Sequence, residues 1–160
     1  MKTTDKFVLF WGGPFSQWYE AEMAIDGVIY NCAEQYMMAS KARVFKDEES
    51  LKKIMATGEP SRQKALGRMV KGFDPVIWDA VSRDYVTKAN YAKFTQHKDL
   101  HTVLMETGDL EIVEASPYDR LWGIGLGEED PRCLDKSQWM GKNWLGECIM
   151  RVREQLKVAK

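Results

Sequence analysis

Apolar residues recur every three to four positions along much of the chain, which is the pattern of helices with one buried face. The first segment with this pattern is 31–45. Asp74 followed by Pro75 is a helix-start signal and predicts that a later helix begins there. In chain order, the predicted helices cover residues 31–45, 47–57, 60–70, 74–96, 97–107 and 143–156. We expect the rest of the chain to be organised around the segment 31–45.

Strand patterns are fewer and shorter. Residues 7–11 form an apolar run that ends at a Gly-Gly-Pro turn, and residues 110–115 read as a second strand. Asp26-Gly27 stands between two short apolar runs. Because both central positions of a type I′ turn need positive φ, this pair predicts a β-hairpin over residues 23–30.

No repeat, low-complexity segment or linker divides the chain. Its 160 residues are enough to bury one sizeable core. We therefore predict a single domain over residues 1–160, with its core at about 7–156. Its predicted class is α+β, with helices dominating around a small β-sheet.

Composition and charge exclude some classes of protein. The chain is 44% hydrophobic and 29% charged, with a net charge of -1, so nothing favours general attraction to duplex nucleic acid or to an anionic membrane. No apolar run approaches about 18 residues, and no membrane span is expected. Three cysteines without CxxC spacing predict reduced thiols in a cytoplasmic protein. His97 and His101 have metal-ligand spacing but no third ligand pattern, so neither a metal nor another cofactor is expected.

Glu34 and Lys41 lie seven residues apart in the predicted helix, so they project from nearly the same face. One interpretation is structural: Asn31 is a good N-cap residue, and Glu34 would then stand at N3, as in a capping box. The other is catalytic, because a carboxylate and an ammonium group on one helix face can form half of an active site. These residues alone leave both interpretations open.

A second informative stretch follows the strand at 110–115. It reads Ser116-Pro117-Tyr118-Asp119-Arg120-Leu121-Trp122-Gly123-Ile124-Gly125-Leu126-Gly127. Spaced glycines let a backbone approach a ligand closely and present its N–H groups. The GxGxxG spacing is absent and no helix follows directly, so this is not a dinucleotide-binding fingerprint.

Glu34 and Asp119 are the candidate acids, because each lies where a strand gives way to a helix or a loop. Two carboxylates suit the cleavage of a bond at an anomeric carbon. One stabilises the oxocarbenium-like transition state, and the other deprotonates the attacking water.

Aromatic and basic side chains could complete such a site. Trp78 or Trp122 could stack on a nitrogenous leaving base, and Lys41 or Lys93 could bind phosphate or shift the pKa of a carboxylate. In residues 15–19 a polar pair stands among aromatic residues, which suits a wall that binds a ring.

Seven motifs then follow one another in fixed order. They are Phe15-Ser16-Gln17-Trp18-Tyr19, Ala33-Glu34-Gln35-Tyr36 to Lys41-Ala42, Trp78-Asp79, Ala92-Lys93-Phe94, Leu110 to Asp119, Trp122-Gly123-Ile124-Gly125, and Trp139-Met140-Gly141-Lys142-Asn143-Trp144-Leu145-Gly146. In this order they resemble the NADAR family, also called the YbiA-like N-glycosidases. The resemblance covers the chain from about Phe10 to Leu156.

The resemblance implies an α+β fold and hydrolysis of N-glycosidic bonds. The implied substrates are small molecules: phosphorylated ribosylamino-pyrimidines of the riboflavin pathway, or related ADP-ribosyl compounds. Some family members look like erasers of ADP-ribose from guanine in nucleic acid, so ADP-ribosylated DNA is a further implied partner. The alternative is a module that binds ADP-ribose or NAD without cleaving it.

Carried over to this chain, the resemblance implies that Glu34, Asp119 and Lys41 are catalytic. The substrate-binding residues implied by the same motifs are Ser16, Trp18, Tyr19, Trp78, Lys93, Trp122, Gly123 and Asn143. Gln17 and Gln35 stand where family members commonly have Asn and His. These two departures bear on the identity of the substrate more than on the class of reaction.

Overall fold

The structure is a computed structural model that describes residues 1–159, in which six α-helices and five short strands are defined. The strands are β1 (Lys2–Thr3), β2 (Phe7–Phe10), β3 (Met23–Ile25), β4 (Val28–Tyr30) and β5 (Glu111–Glu114). The helices are α1 (Ala33–Val44), α2 (Glu48–Met55), α3 (Pro60–Gly67), α4 (Pro75–Gln96), α5 (Lys98–Glu106) and α6 (Trp144–Val158). Two 3₁₀ turns, Pro131–Leu134 and Lys136–Gln138, precede α6. The predicted α+β class with dominant helices is confirmed.

The chain divides into two compact units, one formed by Met1–Ser16 with the segment from Lys98 onward, the other by Gln17–His97. The first unit contains a three-stranded sheet in the order β1-β2-β5. β1 pairs antiparallel with β2, and β2 pairs parallel with β5. Helix α6 packs on β5. The core of this sheet is formed by Phe7, Leu9, Val113, Ala115, Ile124, Leu126 and Cys133.

The second unit is built around α1, which packs against α2, α3 and α4. Every residue from Ala33 to Ala42 is buried, including the polar ones. Helix α1 is therefore buried on all sides, and the prediction that it organises the chain is confirmed within this unit.

Local chemistry explains several element boundaries. Asp47 and Asp74 cap α2 and α4 by accepting from the N–H groups of Ser50 and Val76. The hairpin β3–β4 turns at Asp26 and Gly27, both with positive φ (52° and 80°), as predicted.

The small sheet that was predicted is two sheets, because β3 and β4 pair only with each other among the described residues. The arrangement of the chain as a single domain remains a prediction. No described helix combines the length and the apolar composition that crossing a bilayer requires.

Candidate active site

Glu34 lies in the first turn of α1, and only 6% of its surface is exposed. The predicted capping role of Asn31 and Glu34 is wrong. Cys32 occupies the N-cap position and makes no side-chain cap bond, and the N–H of Asn31 donates to Gln35 Oε1 at 2.8 Å. The N–H of Glu34 itself donates to the carbonyl of Gln17 at 3.0 Å. With Cys32 at the N-cap position, Gln35 rather than Glu34 stands at N3.

A polar network secures the chain just before α1. Asn31 Nδ2 donates to the carbonyl of Gly58 (2.6 Å), and Gln63 Nε2 donates to Asn31 Oδ1 (3.0 Å). Gln63 Oε1 accepts from the Cys32 thiol at 3.2 Å. Gln35 Nε2 donates to the carbonyl of Ile54 at 3.2 Å. The side chains of Asn31 and Gln35 thus have structural roles. Glu34 is the acidic residue in the first turn of α1.

Two buried lysines accompany Glu34 in this unit. Burial lowers the pKa of Lys41, against the opposing effect of the Glu34 charge, and its Nζ lies 4.3 Å from the centre of the Phe73 ring. Lys93 has no exposed surface, and burial lowers its pKa to about 7. The predicted pair Glu34 and Lys41 therefore interacts electrostatically, and Lys93 changes charge near neutral pH.

The Cys32 thiol is next to this charged cluster. Burial raises its pKa to about 11, and the Glu34 charge contributes in the same direction. The thiol therefore stays protonated at neutral pH and is a poor nucleophile. All three cysteines are buried, and no disulfide joins them within residues 1–159.

The predicted aromatic residues of the second unit differ in exposure. Trp18 is 45% exposed and Tyr19 is 36% exposed, with Lys93 Nζ 5.4 Å from the Tyr19 ring centre. Trp78 is buried and stacks on Tyr85, with ring centres 6.0 Å apart and an interplanar angle of 18°. Trp18 and Tyr19 are accessible to a ligand, whereas Trp78 is packed in the core of its unit.

In the first unit, Asp119 organises its own turn. Its Oδ1 accepts from the N–H groups of Leu121 (2.9 Å) and Trp122 (2.8 Å). The Trp122 ring, which is half-buried, lies edge-on to the Trp144 ring at 5.5 Å. Asp119 thus holds the backbone of Trp122 in place. Both bonds are accepted by Oδ1, and neither by Oδ2.

The glycine-rich run does not present its N–H groups to a ligand as predicted. The N–H of Ile124 donates to the Glu114 carbonyl, and that of Gly125 to the Asp119 carbonyl. The run's carbonyls accept from a second segment: those of Gly123 and Ile124, for example, accept from the N–H groups of residues 143 and 140. Gly123 is enclosed, since a Cβ there would lie 3.0 Å from the Asp119 carbonyl oxygen. The glycines serve close packing of two backbone segments.

Asn143 stands at the N-cap position of α6 as predicted, but with φ 54° and no side-chain cap bond. Its amide instead accepts from the N–H of Glu114 and donates to the carbonyl of Ile112, both at 3.0 Å. The side chain is buried and engaged with β5, so we assign it a structural role. Ser16 is half-buried, and its N–H donates to the Gly13 carbonyl at 2.9 Å.

The candidate residues belong to both units. Trp18, Tyr19, Glu34, Lys41, Trp78 and Lys93 lie in the second unit, and Ser16, Asp119, Trp122, Gly123 and Asn143 lie in the first. The structure brings together Glu34, Lys41 and Lys93 with Cys32. The pairing of Glu34 with Asp119 stays a prediction. Residues 1–159 contain no group of three or more His, Cys, Asp or Glu side chains that could hold a metal ion.

Sequence reasoning did not assign a structural role to Gln63 and Asn90. Both are completely buried. Gln63 donates to the Thr57 carbonyl, and Asn90 to Gln17 Oε1. The spacing along α4 is a partial signal, because Asn90 lies one turn before Lys93 on the same side of the helix.

Known proteins resemble this chain over most of its length. The family model described as the NADAR domain matches residues 9–157. The N-glycosidase R617 of Acanthamoeba polyphaga mimivirus is 43% identical over 165 residues, which is 95% of this chain and 97% of that protein. The N-glycosidase YbiA of Escherichia coli (strain K12) is 30% identical over 148 residues, 92% of this chain and 84% of that protein. The NMR structure of E. coli YbiA superposes with a TM-score of 0.80 at 28% identity, covering 99% of this chain and 89% of that one.

Proposed function

The chain belongs to the NADAR family, and from this premise we propose that it hydrolyses the N-glycosidic bond of a ribose-phosphate or ADP-ribose-type substrate. Relatives that align over most of their length are named N-glycosidases. The predicted reaction class, hydrolysis of N-glycosyl compounds, is therefore confirmed. The proposed substrates are phosphorylated ribosylamino-pyrimidines of the riboflavin pathway or ADP-ribosyl-guanine adducts.

The burial of Glu34 is the observation that carries the assignment of the catalytic acid. Asp and Glu side chains are almost never this buried unless they are paired or have a functional role. Glu34 is 6% exposed, stands at N2 rather than at the capping-box position N3, and lies near two lysines whose pKa values burial lowers. A carboxylate held in such surroundings is suited to stabilise positive charge on a sugar ring.

The proposed reaction is a hydrolytic substitution at C1 of the ribose. The bond from C1 to the leaving nitrogen breaks, and the oxygen of water forms the new bond to C1. The water gives up one proton to a carboxylate, and the departing nitrogen takes up one proton. Glu34 and Asp119 divide the tasks of accepting that proton and stabilising the oxocarbenium-like transition state.

Basic and aromatic residues would bind the rest of the substrate. Lys41 and Lys93 carry positive charge for phosphate oxygens, and Lys93 can also change its charge near neutral pH. Trp18 and Tyr19 present exposed rings on which a planar base can stack. Trp122, which Asp119 holds in place, is the aromatic candidate of the first unit.

A product assay by liquid chromatography and mass spectrometry tests this proposal. The panel comprises the riboflavin-pathway ribose phosphates, ADP-ribose, NAD and DNA with ADP-ribosylated guanine. We expect the wild type to release a free base or amine from one member, and Glu34→Gln to lose at least about 100-fold in kcat. Glu147→Gln is the matched control, because Glu147 is an exposed acid in the first turn of another helix, α6.

Two substitutions separate the roles of Asp119. Asp119→Asn keeps a side-chain oxygen that can accept from Leu121 and Trp122, but it removes the charge. Asp119→Ala removes both. A catalytic Asp119 predicts that both variants lose kcat, whereas a purely structural Asp119 predicts that only Asp119→Ala loses activity and stability.

The same panel decides against the alternative of a binding module. Tight binding of ADP-ribose or NAD, without release of a base from any member, would contradict the proposed hydrolysis. Binding is measured by calorimetry on the wild type and on Glu34→Gln, after circular dichroism has shown that both are folded.

A further inference from the structure

Gln17 bridges helices α1 and α4 through both ends of its side chain. Its Oε1 accepts from Asn90 Nδ2 of α4 at 2.9 Å, and its Nε2 contacts Met37 Sδ of α1 at 3.9 Å. Its backbone carbonyl accepts the N–H of Glu34 at 3.0 Å. The first turn of α1 has no side-chain cap, so this carbonyl satisfies one of the free N–H groups at the helix start.

The orientation of the Asn90 amide is fixed by two donated bonds. Nδ2 donates to Gln17 Oε1 and also to the Val86 carbonyl at 2.8 Å, and only the NH₂ end of an amide can make both bonds. The other end, Oδ1, is buried and has no hydrogen-bond partner within residues 1–159.

A buried acceptor without a partner is unfavourable, and an apolar side chain at position 90 would avoid it. The structure nevertheless places an amide here, and its donors are used to hold Gln17. This arrangement indicates a requirement for the position of Gln17 rather than for stability alone.

We propose that Gln17 and Asn90 are positioning residues for catalysis, acting on Glu34 through the Gln17 backbone. This inference rests on the proposed role of Glu34 in hydrolysis. Asn90 fixes the Gln17 side chain, Gln17 fixes its own carbonyl against the first turn of α1, and the carboxylate of Glu34 is thereby held in one orientation.

In this proposal the Gln17 side chain does not contact the substrate directly. Both polar atoms of its side chain face protein atoms, Asn90 Nδ2 and Met37 Sδ. Its loss should therefore affect the chemical step more than the binding step. Small displacements of a catalytic group lower kcat steeply, even when the change lies outside the site.

The test compares Asn90→Leu and Gln17→Met with the wild type on the substrate that the product assay identifies. Leu keeps the branched shape of Asn but removes the donors and the unpaired oxygen, and Met keeps the length of Gln. We expect kcat, per folded molecule, to fall about tenfold or more in each variant, with KM changed less than about twofold. Asn90→Ala, which cannot overfill the site, repeats the measurement if Asn90→Leu folds poorly.

Ser82→Ala is the matched control on α4. Ser82 is also completely buried, and its hydroxyl also has no hydrogen-bond partner among the described residues. The hydroxyl therefore makes no hydrogen bond to Gln17, and we expect wild-type kcat from Ser82→Ala. The double variant Gln17→Met/Asn90→Leu should lose no more kcat than the worse single variant, because the two residues act through one contact.

Each outcome is decisive. Wild-type kcat in Gln17→Met and Asn90→Leu, or losses that simply multiply in the double variant, overturns the positioning role. A fall in melting temperature with unchanged kcat per folded molecule identifies a structural role and also overturns it. If Glu34→Gln retains full activity, the proposed catalytic role of Glu34 fails, and the positioning role fails with it. If only Glu34→Gln is inactive, the positioning role alone fails.

Discussion

Lys93 is an ammonium side chain without exposed surface, beside a Cys32 thiol that stays protonated at neutral pH. Removing such a charge from water is costly, which is why burial lowers the pKa of Lys93 to about 7. At the scale of single residues, the candidate site is thus defined by charges held at a cost in stability. Functional sites are where such costs are commonly tolerated.

The pKa of Lys93 predicts how stability depends on pH. Between about 7 and the ordinary lysine value of 10.5, the unfolded chain holds a proton that the folded chain has released. Stability therefore rises with pH in this window, by up to about 1.4 kcal/mol per pH unit. Lys93→Met removes this dependence, so its advantage in melting temperature over the wild type should be largest at pH 6 and smaller at pH 8.5.

Differential scanning calorimetry from pH 6 to 8.5 measures this difference. The range ends below the ordinary thiol pKa of 9.0, above which Cys32 would contribute with the opposite sign. Lys52→Met, at an exposed lysine of α2, is the control and should show a constant difference from the wild type. A difference for Lys93→Met that does not change with pH would contradict the account of Lys93.

The types and spacing of residues in the sequence indicated candidate site residues, but the sequence did not predict which of them are buried. Glu34 and Lys41 were recognisable as a pair by their spacing, but the sequence could not exclude the capping interpretation. The choice between the two interpretations depended on which side chain accepts a hydrogen bond from the N–H of Asn31. In the structure the acceptor is Gln35, one residue after Glu34 and equally able to accept. Competing local partners of this kind are resolved only by three-dimensional structure.

At the scale of elements, the turn that carries Asp119 and Trp122 is locked to the segment that precedes α6. The N–H groups of Met140 and of residues 142–145 donate to carbonyls of residues 120–124. The two backbones approach so closely at Gly141 that a Cβ there would lie 2.3 Å from the Gly123 carbonyl oxygen. The glycines of both motifs are therefore needed for packing.

Gly141→Ala should lower the free energy of unfolding by about 2–3 kcal/mol, because the contacted atoms are backbone and cannot rotate away. Gly127→Ala is the control, since its Cβ would meet only Pro117 Cδ at 4.0 Å and φ lies outside the left-handed region. Urea unfolding of both variants and the wild type gives the comparison. Equal stabilities for Gly141→Ala and Gly127→Ala would contradict this account of the turn.

Elements with strong local signals were predicted well. The Asp26-Gly27 hairpin and the Asp74-Pro75 start of α4 each follow from two neighbouring residues. Helix α4 was predicted from its Asp74-Pro75 start, but the sequence did not show that Ser82, Asn90 and Lys93 are completely buried. A pattern based on hydrophobicity does not identify polar residues on a buried face.

At the scale of the whole molecule, the family and the reaction class followed from motifs in fixed order. The substrate did not, because its identity depends on side-chain positions that spacing does not describe. The net charge of -1 gives no general attraction to nucleic acid. Arg62, Arg68 and Lys71 are exposed around α3, so a local contact with a phosphate backbone is compatible with the fold.

Base release and ligand binding by Glu34→Gln, measured on one preparation, test the central claim most directly. The substrate is the member of the panel that the wild type cleaves. We predict that Glu34→Gln binds it with a Kd within about tenfold of the wild-type KM but releases at least about 100-fold less base per unit time. Release at the wild-type rate by folded Glu34→Gln would contradict the claim that this buried carboxylate performs the hydrolysis.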